Sequence, residues 1–265
     1  MSVQSDRKPM RAHPEPPPWL LPEKLLGTPQ GDDLTHDLDA LASILGPDLE
    51  SIYAYGSVVS GCFRPPLSDI DLIVVTRQPC SEETAERIGR HAEKRRPPID
   101  ATFVTSEQLH ADILPTPVDL LSKPFPGMEA VRKPEGSLSF LLDRQDAYEN
   151  GMAILGRPLA ESIRSVPWNL IEQSLDRLSP HIVPNFKHPT LMLCRVVCTL
   201  SRRRMCSKEG AGLWALENLP SRWGNLIRAD LDAYAKGRKN ARPNPKALDA
   251  FEAFCLSSIN RTSSR

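Results

Sequence analysis

The chain has 265 residues, of which 40% are hydrophobic, a size that fits one large domain or two modest ones. Its 33 Lys and Arg residues balance 33 Asp and Glu residues, so the net charge is zero and a general nucleic-acid binder is disfavoured. No apolar stretch approaches the length of a membrane span, and the N-terminus lacks an apolar signal core. We therefore expect a cytoplasmic protein that makes no membrane contact.

The six cysteines lack the short spacings of metal sites, and in a chain of this length they predict reduced thiols rather than a disulfide framework. Cys194 and Cys198 lie one helical turn apart, a spacing typical of core packing. No nearby histidine pattern argues for zinc.

Proline dominates the start of the chain. Of the 26 prolines, seven precede residue 30, which predicts an extended or disordered tail over residues 1–30. An apolar stripe between Asp32 and Leu45 then predicts a helix. Asp32 or Asp33 would cap this helix, and Gly46-Pro47 would end it.

Two strands with a glycine turn between them follow. Ile52–Tyr55 is a run of strand formers that stops at Gly56-Ser57, and Ile70–Val75 begins a second strand. Asp69 and Asp71 are two positions apart at its start, so both carboxylates project from one face. Mg²⁺ prefers such oxygen ligands, and the glycine turn with its serine offers N–H groups and a hydroxyl to phosphates. An acidic pair alone is more often a solvated surface feature, so this interpretation depends on the surrounding residues.

Helices and strands continue to about residue 155. Residues 81–96 are typical of a surface helix, which Pro97-Pro98 would halt. Ile99–Val104 alternates like a strand, with Asp100 and Thr102 on its polar face. The proline-rich segment 114–136 predicts irregular structure, and residues 137–150 predict a helix.

Beyond residue 155 the pattern changes to helices alone. Apolar stripes predict helices over residues 167–178, 189–206, 207–219, 222–234 and 246–259. The sequence therefore predicts a mixed-sheet α/β domain over residues 31–155, followed by an all-helical C-terminal domain over residues 156–262.

The string Gly56-Ser57, Gly61 and Ser68-Asp69-Ile70-Asp71, followed by an apolar strand, resembles the signature of the nucleotidyltransferase superfamily, which includes the DNA polymerase beta type. The interval between the serine of the turn and the first aspartate is one residue longer than is usual in that superfamily. The loop 64–67 absorbs the extra residue. The resemblance implies that Asp100, on the next strand, is a third carboxylate that completes the metal site, serves as the base, or both.

The C-terminal half carries a narrower resemblance. Leu191-Met192-Leu193-Cys194-Arg195, Ser207-Lys208 and Leu213–Pro220 resemble the helical domain of the streptomycin/spectinomycin (aminoglycoside) adenylyltransferases. The similarity spans roughly residues 35–236 and depends on the order and spacing of the pieces. It implies that Arg195 and Lys208 approach the nucleotide when the cleft closes. The residues alone favour a salt bridge between helices for Arg195 and a solvated Lys208.

Together these resemblances imply a Mg²⁺-dependent enzyme that moves AMP from ATP to a hydroxyl group of a small-molecule acceptor and releases pyrophosphate. The implied catalytic and metal-binding residues are Asp69, Asp71 and Asp100, and the implied nucleotide-binding residues are Gly56, Ser57, Ser68, Arg195 and Lys208. Two alternatives stay open. One is transfer to a protein or to an RNA 3′ end, which the run Arg202–Arg204 would support, and the other is a nucleotide-binding module without turnover.

The acceptor is where the sequence departs from the family. Relatives that bind aminoglycosides place a tryptophan and acids just before the Arg195 helix, whereas this chain has Asp176, His181, Asn185, Lys187 and His188 there. Asp100 also stands where those enzymes usually carry a longer glutamate. We therefore expect streptomycin and spectinomycin to be poor substrates, unless other acids supply the missing charge. The candidates for that charge are Asp119, Glu129 and Asp143.

Overall fold

The computed structural model describes residues 19–64, 68–93, 99–124, 127, 129–238 and 244–262, the last four by their backbone alone. These residues contain the strands β1 (Leu49–Tyr55), β2 (Ile70–Thr76), β3 (Ile99–Thr105), β4 (Leu120–Ser122), β5 (Val131–Arg132) and β6 (Met152–Leu155). The strands form one sheet in the order β5-β4-β3-β2-β1-β6. Only β2 and β3 pair in parallel among these neighbours, and the other pairs are antiparallel. The predicted mixed sheet is confirmed.

Helices cover the sheet and, together with loops and short 3-10 turns, form the rest of the described chain. They are α1 (Pro29–Leu45), α2 (Glu82–Ala92), α3 (Ser106–Leu109), α4 (Phe140–Asn150), α5 (Leu159–Ser162), α6 (Trp168–Leu178), α7 (Ile182–Asn185), α8 (Pro189–Arg202), α9 (Lys208–Asn218), α10 (Gly224–Ala235) and α11 (Pro245–Thr262). After β6 the described residues contain helices and no strand, so the helical C-terminal region is confirmed.

The central strands are buried on both faces because helices pack on each side of the sheet. Ile52 and Ala54 of β1 lie in a core with the apolar stripe of α1, whereas Tyr53 and Tyr55 lie in a second core with Phe140 of α4. Successive residues of β1 therefore serve two cores, as a strand's alternation dictates. The face of β3 that was expected to be polar is also covered, since Thr102 is 2% exposed. Asp69, Asp71 and Asp100 sit where this covered face reaches the end of the sheet.

Helix α4 connects the two halves of the chain. Its Phe140 packs on the sheet, while its Leu141 belongs to the core of the helical region, where α8 contacts α7, α9, α10 and α11. Successive positions of α4 thus contribute to different cores. A domain boundary at residue 155 stays an interpretation, because the packing of α4 runs across it.

The tail predicted over residues 1–30 was wrong for its second part. Residues 1–18 lie outside the described residues, but Leu25 is buried against α1, and Trp19 Nε1 donates to Asp39 Oδ1 at 2.7 Å. Thr28, rather than Asp32 or Asp33, caps α1 by accepting a hydrogen bond from the N–H of Gly31 at 3.1 Å. The proline content predicted disorder here, but Pro29 is the first residue of α1, a position at which proline is favourable.

Three further differences concern short elements. The segment 114–136 contains β4 and β5, and the exit after α4 contains β6, although no strand was predicted there. Strands of two to four residues are too short to show alternation. Helix α8 ends at Arg202 rather than at residue 206, because Arg203 adopts a left-handed conformation with φ of 50°. Among the described residues, no helix has the length and apolar character that crossing a membrane requires.

Candidate active site

The sheet register brings the three predicted carboxylates together. Asp71 pairs with Tyr55 of β1 on one side and with Asp100 of β3 on the other, and Asp69 precedes β2 by one residue. One ligand oxygen from each of Asp69, Asp71 and Asp100 lies within 4.8 Å of the others. Because β2 and β3 are parallel and in register, the paired aspartates point the same way. These three hard oxygen donors at this spacing fit a divalent cation such as Mg²⁺.

The electrostatics of this cluster favour a cation. Burial raises the pKa of Asp71 well above its ordinary value, and the negative charges of Asp69 and Asp100 raise it further. Burial also raises the pKa of Asp100, although the Lys123 ammonium opposes this rise. Both shifts have the same physical cause, namely charged carboxylates held close together with limited access to water.

Gly56 makes room for Asp71. It begins the 3-10 turn Gly56–Val58 directly after β1 and has φ of +70°, a region that favours glycine. A Cβ atom at this position would collide with the Asp71 carboxylate. Ser57, half-buried in the same turn, is therefore held next to the carboxylates. A glycine here is a requirement of both the backbone conformation and the space.

Ser68 organises the loop that leads to the carboxylates. Its hydroxyl accepts a hydrogen bond from the N–H of Arg64 at 3.1 Å, and its own N–H donates to the Arg64 carbonyl at 3.0 Å. These two bonds close the loop before β2. The side chain supports the position of Asp69 through the backbone, and its implied contact with the nucleotide stays a prediction.

Lys123 is a site residue that the sequence analysis missed. Its ammonium donates to both oxygens of Asp100, at 2.8 and 2.7 Å. Burial works to lower its pKa, but the charges of Asp100 and Asp143 outweigh this, so the pKa lies above its ordinary value. Lys123 follows β4, a three-residue strand inside the segment expected to be irregular, and no sequence signal placed it beside β3.

The two cationic residues of the helical region reach the same site in different ways. Lys208 is the first residue of α9, and burial and Arg195 lower its pKa while the charges of Asp69 and Asp71 oppose the change. Arg195 donates from Nη2 to Asp146 of α4 at 3.2 Å and from Nε to the Cys206 carbonyl at 2.7 Å. The alternative interpretation, a salt bridge between helices, therefore describes Arg195 in this structure.

One ion pair links the loop before β2 to the start of α9. The Arg64 guanidinium donates to both oxygens of Glu209, at 3.0 and 2.9 Å, and to the carbonyl of Ala235 at 3.2 Å. It also lies over the ring of Tyr234, 5.5 Å from its centre. Because Glu209 is adjacent to Lys208, this contact fixes the end of α9 against the carboxylate cluster.

Asp143 on α4 adds a fourth carboxylate to the site. It is half-buried, and among the described residues its side chain has no hydrogen-bond or ion-pair partner. Burial raises its pKa to about 7, and the charges of Asp100 and Asp146 add to the effect against Lys123 and Arg195. The other acids considered as counter-charges have partners elsewhere: Asp119 binds Arg132 and the N–H of Cys80, and Glu129 accepts a hydrogen bond from the N–H of Gly127.

The raised pKa of Asp143 makes a prediction about stability. A folded-state pKa of about 7, above the ordinary unfolded value of about 4, means that the folded chain binds this proton more tightly. The stability contributed by the protonated group is therefore lost as the pH rises between those values. Asp143→Asn lacks this titration. Its free energy of unfolding should therefore rise relative to that of the wild type by on the order of 2 kcal/mol between pH 5 and pH 8. Thermal unfolding of both proteins with a chelator present measures this difference.

Asp232→Asn, at an exposed residue of α10, is the matched control and should show a much smaller pH-dependent difference. If the difference in free energy of unfolding between Asp143→Asn and the wild type stayed the same across this pH range, the description of Asp143 as a buried carboxylate would be contradicted.

Most of the residues expected to limit a cationic acceptor are exposed. Asp176, His181 and Lys187 are exposed, whereas His188 is buried and its Nδ1 pairs with Asp230 Oδ1 at 2.7 Å. That hydrogen bond anchors the start of α8, together with a hydrogen bond from the N–H of Leu191 to Asp230 Oδ2 at 3.2 Å. His188 is therefore a packing residue rather than part of an open pocket.

Comparison with known families and proteins agrees with this architecture. Residues 38–143 match the family described as Nucleotidyltransferase domain, and residues 164–258 match the family described as Aminoglycoside adenylyltransferase, C-terminal domain. The two matches follow one another along the chain in the order expected from the sequence. The resemblance to the nucleotidyltransferases, and within them to the aminoglycoside adenylyltransferases, is confirmed.

Two individual proteins carry the similarity further. A spectinomycin 9-adenylyltransferase of Campylobacter jejuni is 24% identical over 212 residues, covering 72% of this chain and 80% of that protein. The crystal structure of a spectinomycin adenyltransferase from Enterococcus faecialis with ATP and spectinomycin superposes with a TM-score of 0.75. It is 16% identical and covers 87% of this chain and 99% of that one, so this second likeness shows the fold.

Proposed function

We propose that this chain, a nucleotidyltransferase of the aminoglycoside adenylyltransferase type, moves AMP from ATP to a hydroxyl group of a small cationic acceptor and releases pyrophosphate. One observation carries the proposal. Three carboxylates with oxygens within 4.8 Å of one another lie between a glycine turn on one side and Lys208 on the other. Such an arrangement provides oxygen ligands for a metal and donors for phosphates.

The metal-binding residues in this proposal are Asp69, Asp71 and Asp100. The high pKa values of Asp71 and Asp100 support it, because carboxylates that are costly to charge alone gain most from a bound cation. Bound Mg²⁺ would neutralise charge on the triphosphate and at the attacked phosphorus. The task of the protein is to hold the three carboxylates in register, which the β2–β3 pairing does.

The phosphate contacts come from both halves of the chain. Gly56 contributes its N–H and Ser57 its N–H and hydroxyl, while Lys208 contributes a point charge from the first turn of α9. A cation at a helix N-terminus gains nothing from the helix dipole, which supports a phosphate as its partner. Arg195 supports Lys208 by holding the Cys206 carbonyl, and its exchange from Asp146 to nucleotide stays a prediction.

Asp100 is the residue proposed to accept the proton of the attacking hydroxyl. Its pKa is raised by burial, which makes the carboxylate a better base than an ordinary aspartate. Lys123 opposes the rise but holds both carboxylate oxygens in a fixed orientation through two hydrogen bonds. The hydroxyl oxygen then attacks the α-phosphorus in line, and pyrophosphate leaves.

The acceptor is proposed to carry a cationic amine that pairs with Asp143. An unpaired carboxylate beside Asp100 favours such a group, because an ammonium that loses water needs an opposite charge. The expectation of poor use of spectinomycin depended on a shortage of acids, and Asp143 removes that shortage. The similar proteins named for spectinomycin supply the probe. The alternatives with a protein or RNA acceptor gain no support from the described site, and the cytoplasmic location stays a prediction.

Growth of a susceptible bacterium on spectinomycin, with the chain expressed from a plasmid, tests this acceptor. We expect resistance from the wild type and loss of resistance from Asp143→Asn, with equal amounts of soluble protein. Loss of resistance in the Asp143 variant with unchanged use of ATP in vitro would assign Asp143 to the acceptor. Full resistance in that variant would contradict its role.

Lys208→Ala tests the contribution of the helical region to nucleotide binding. Loss of one charged contact to a phosphate is expected to raise the KM for ATP roughly tenfold, because such contacts contribute about 1.5–3 kcal/mol. The thermal stabilisation by Mg²⁺ and a nonhydrolysable ATP analogue should shrink in parallel. Lys236→Ala, at an exposed lysine paired with Asp232, is the matched control and should behave like the wild type. An unchanged KM and an unchanged shift in Lys208→Ala would contradict the contact.

A further inference from the structure

A pair of thiols lies at the end of α8, outside the carboxylate cluster. Cys198 is buried within α8, and Cys206 is partly exposed in the turn that leads to α9. Their sulfur atoms are 2.9 Å apart. A disulfide bond is about 2.05 Å long, so the two sulfur atoms must approach each other by only about 1 Å to form one. The other described cysteines have no such sulfur contact.

The backbone of the turn holds the two sulfurs together. Arg203, with its left-handed conformation, ends α8 and reverses the chain. The N–H of Met205 then donates to Glu149 Oε2 at 2.8 Å, and the Cys206 carbonyl accepts the bond from Arg195 Nε at 2.7 Å. These contacts anchor the turn on both sides of the thiol. The approach of the sulfurs is therefore a property of the local fold.

The surroundings make the two thiols chemically different. The hydrogen bond from Cys198 lowers the pKa of Cys206 to about 7, and Thr199, Arg202 and Arg195 assist against burial. The hydrogen bond to Cys206 and burial raise the pKa of Cys198. Burial also raises the pKa of Cys80, Cys194 and Cys255. Cys206 is thus the thiolate that reacts first, and Cys198 is the neighbour that completes the bond.

We propose that Cys198 and Cys206 form a redox-modification site, which a two-electron oxidant such as a peroxide converts into an intramolecular disulfide. The Cys206 thiolate attacks one peroxide oxygen, forms a sulfenic acid and releases water after protonation. The Cys198 thiol then attacks that sulfur, the S–S bond forms and a second water leaves. The two thiols lose two electrons and two protons in total, and one peroxide is reduced to two waters. A dithiol reductant reduces the disulfide back to the two thiols.

The site borders the residues proposed to bind the nucleotide. Cys206 holds Arg195 through its carbonyl, and Lys208 lies two residues further along the chain. Joining the sulfurs shifts the Cys206 backbone toward α8 and disturbs both side chains. Weaker ATP binding in the oxidised chain is the expected consequence, and this part alone depends on the proposed function.

The test treats the reduced chain with dilute hydrogen peroxide, blocks the remaining thiols with iodoacetamide and maps the peptides by mass spectrometry. We expect a single peptide pair joined through Cys198 and Cys206, lost on treatment with dithiothreitol. Cys62→Ser removes a partly exposed thiol without a sulfur neighbour and should form the same pair, whereas Cys206→Ser should form none. The mapping in the wild type stands even if a variant folds poorly.

The disulfide itself is measured without ATP, so its failure is distinct from failure of the nucleotide site. Free Cys198 and Cys206 after treatment that oxidises Cys62, a bridge between other cysteines, or conversion of Cys206 to a sulfinic acid alone would each overturn the proposal. The thermal shift by Mg²⁺ and an ATP analogue should be smaller in the oxidised chain and recover on reduction. An unchanged shift would overturn the link to the nucleotide site.

Discussion

Asp69→Asn and Asp71→Asn are each expected to lower nucleotidyl transfer by at least about a thousandfold, a loss of roughly 4 kcal/mol of transition-state stabilisation. The amide keeps the shape of the side chain and loses the charge that holds a divalent cation. Folding should not suffer. Burial and the neighbouring charges already raise the pKa of Asp71, so a neutral side chain there relieves repulsion. Unchanged or higher Tm of the free Asp71→Asn chain, together with lost activity, is therefore the predicted combination.

Pyrophosphate release measures the activity, and thermal unfolding with a chelator measures the stability. Asp232→Asn is a matched control, because it makes the same chemical change at an exposed residue of α10. That variant should retain full activity. Near-normal pyrophosphate release from either active-site variant would remove the basis for the metal assignment, whatever its Tm.

Gly56→Ala is expected to have the second largest effect. The added methyl group collides with the Asp71 carboxylate, and the residue must also keep φ of +70°. The left-handed conformation alone costs about 1–2 kcal/mol for a residue with a Cβ. That strain lowers the stability of the fold. Displacing Asp71 from its register with Asp100 should in addition lower the activity of the folded protein roughly a hundredfold, since misplacement of a catalytic group by about 1 Å has an effect of this size.

Gly27→Ala separates strain from displacement. Gly27 has φ of +66°, and a Cβ atom there would have no atom within 4 Å. It should lose a similar amount of stability and keep its activity. The comparison is made by thermal unfolding and pyrophosphate release of both variants. Equal activity in the two variants would show that the space beside Asp71 is not needed for the reaction.

The parts of the fold that could be predicted are those with strong periodicity or punctuation. The runs of strand formers Ile52–Tyr55 and Ile70–Val75, with Gly56 between them, placed the two central strands close to their observed bounds. The short strands β4–β6 were missed because two to four residues carry too little pattern. The prediction of a tail over residues 1–30 was wrong for its second part, because it depended on proline content alone. Leu25 is buried against α1, and this burial holds the segment in place.

The candidate site likewise contains residues that the sequence predicted and residues that it did not. Asp69, Asp71 and Asp100 were predicted from spacing and resemblance, and the register of β2 and β3 brings them together. Lys123 was missed because its contact with Asp100 depends on the pairing of β4 with β3, which local sequence does not encode. Asp143 was named only as a possible source of charge, since its position depends on how α4 packs over the sheet.

The most direct test of the account is the identity of the products formed from ATP, Mg²⁺ and spectinomycin, with other small amino-hydroxyl compounds as a panel. Mass spectrometry should find an acceptor that gains one adenylyl group and one pyrophosphate released for each adduct, with neither product from Asp69→Asn. Two results would contradict the account. One is phosphorylated acceptor with ADP, and the other is pyrophosphate release that no panel member raises above the Asp69→Asn background.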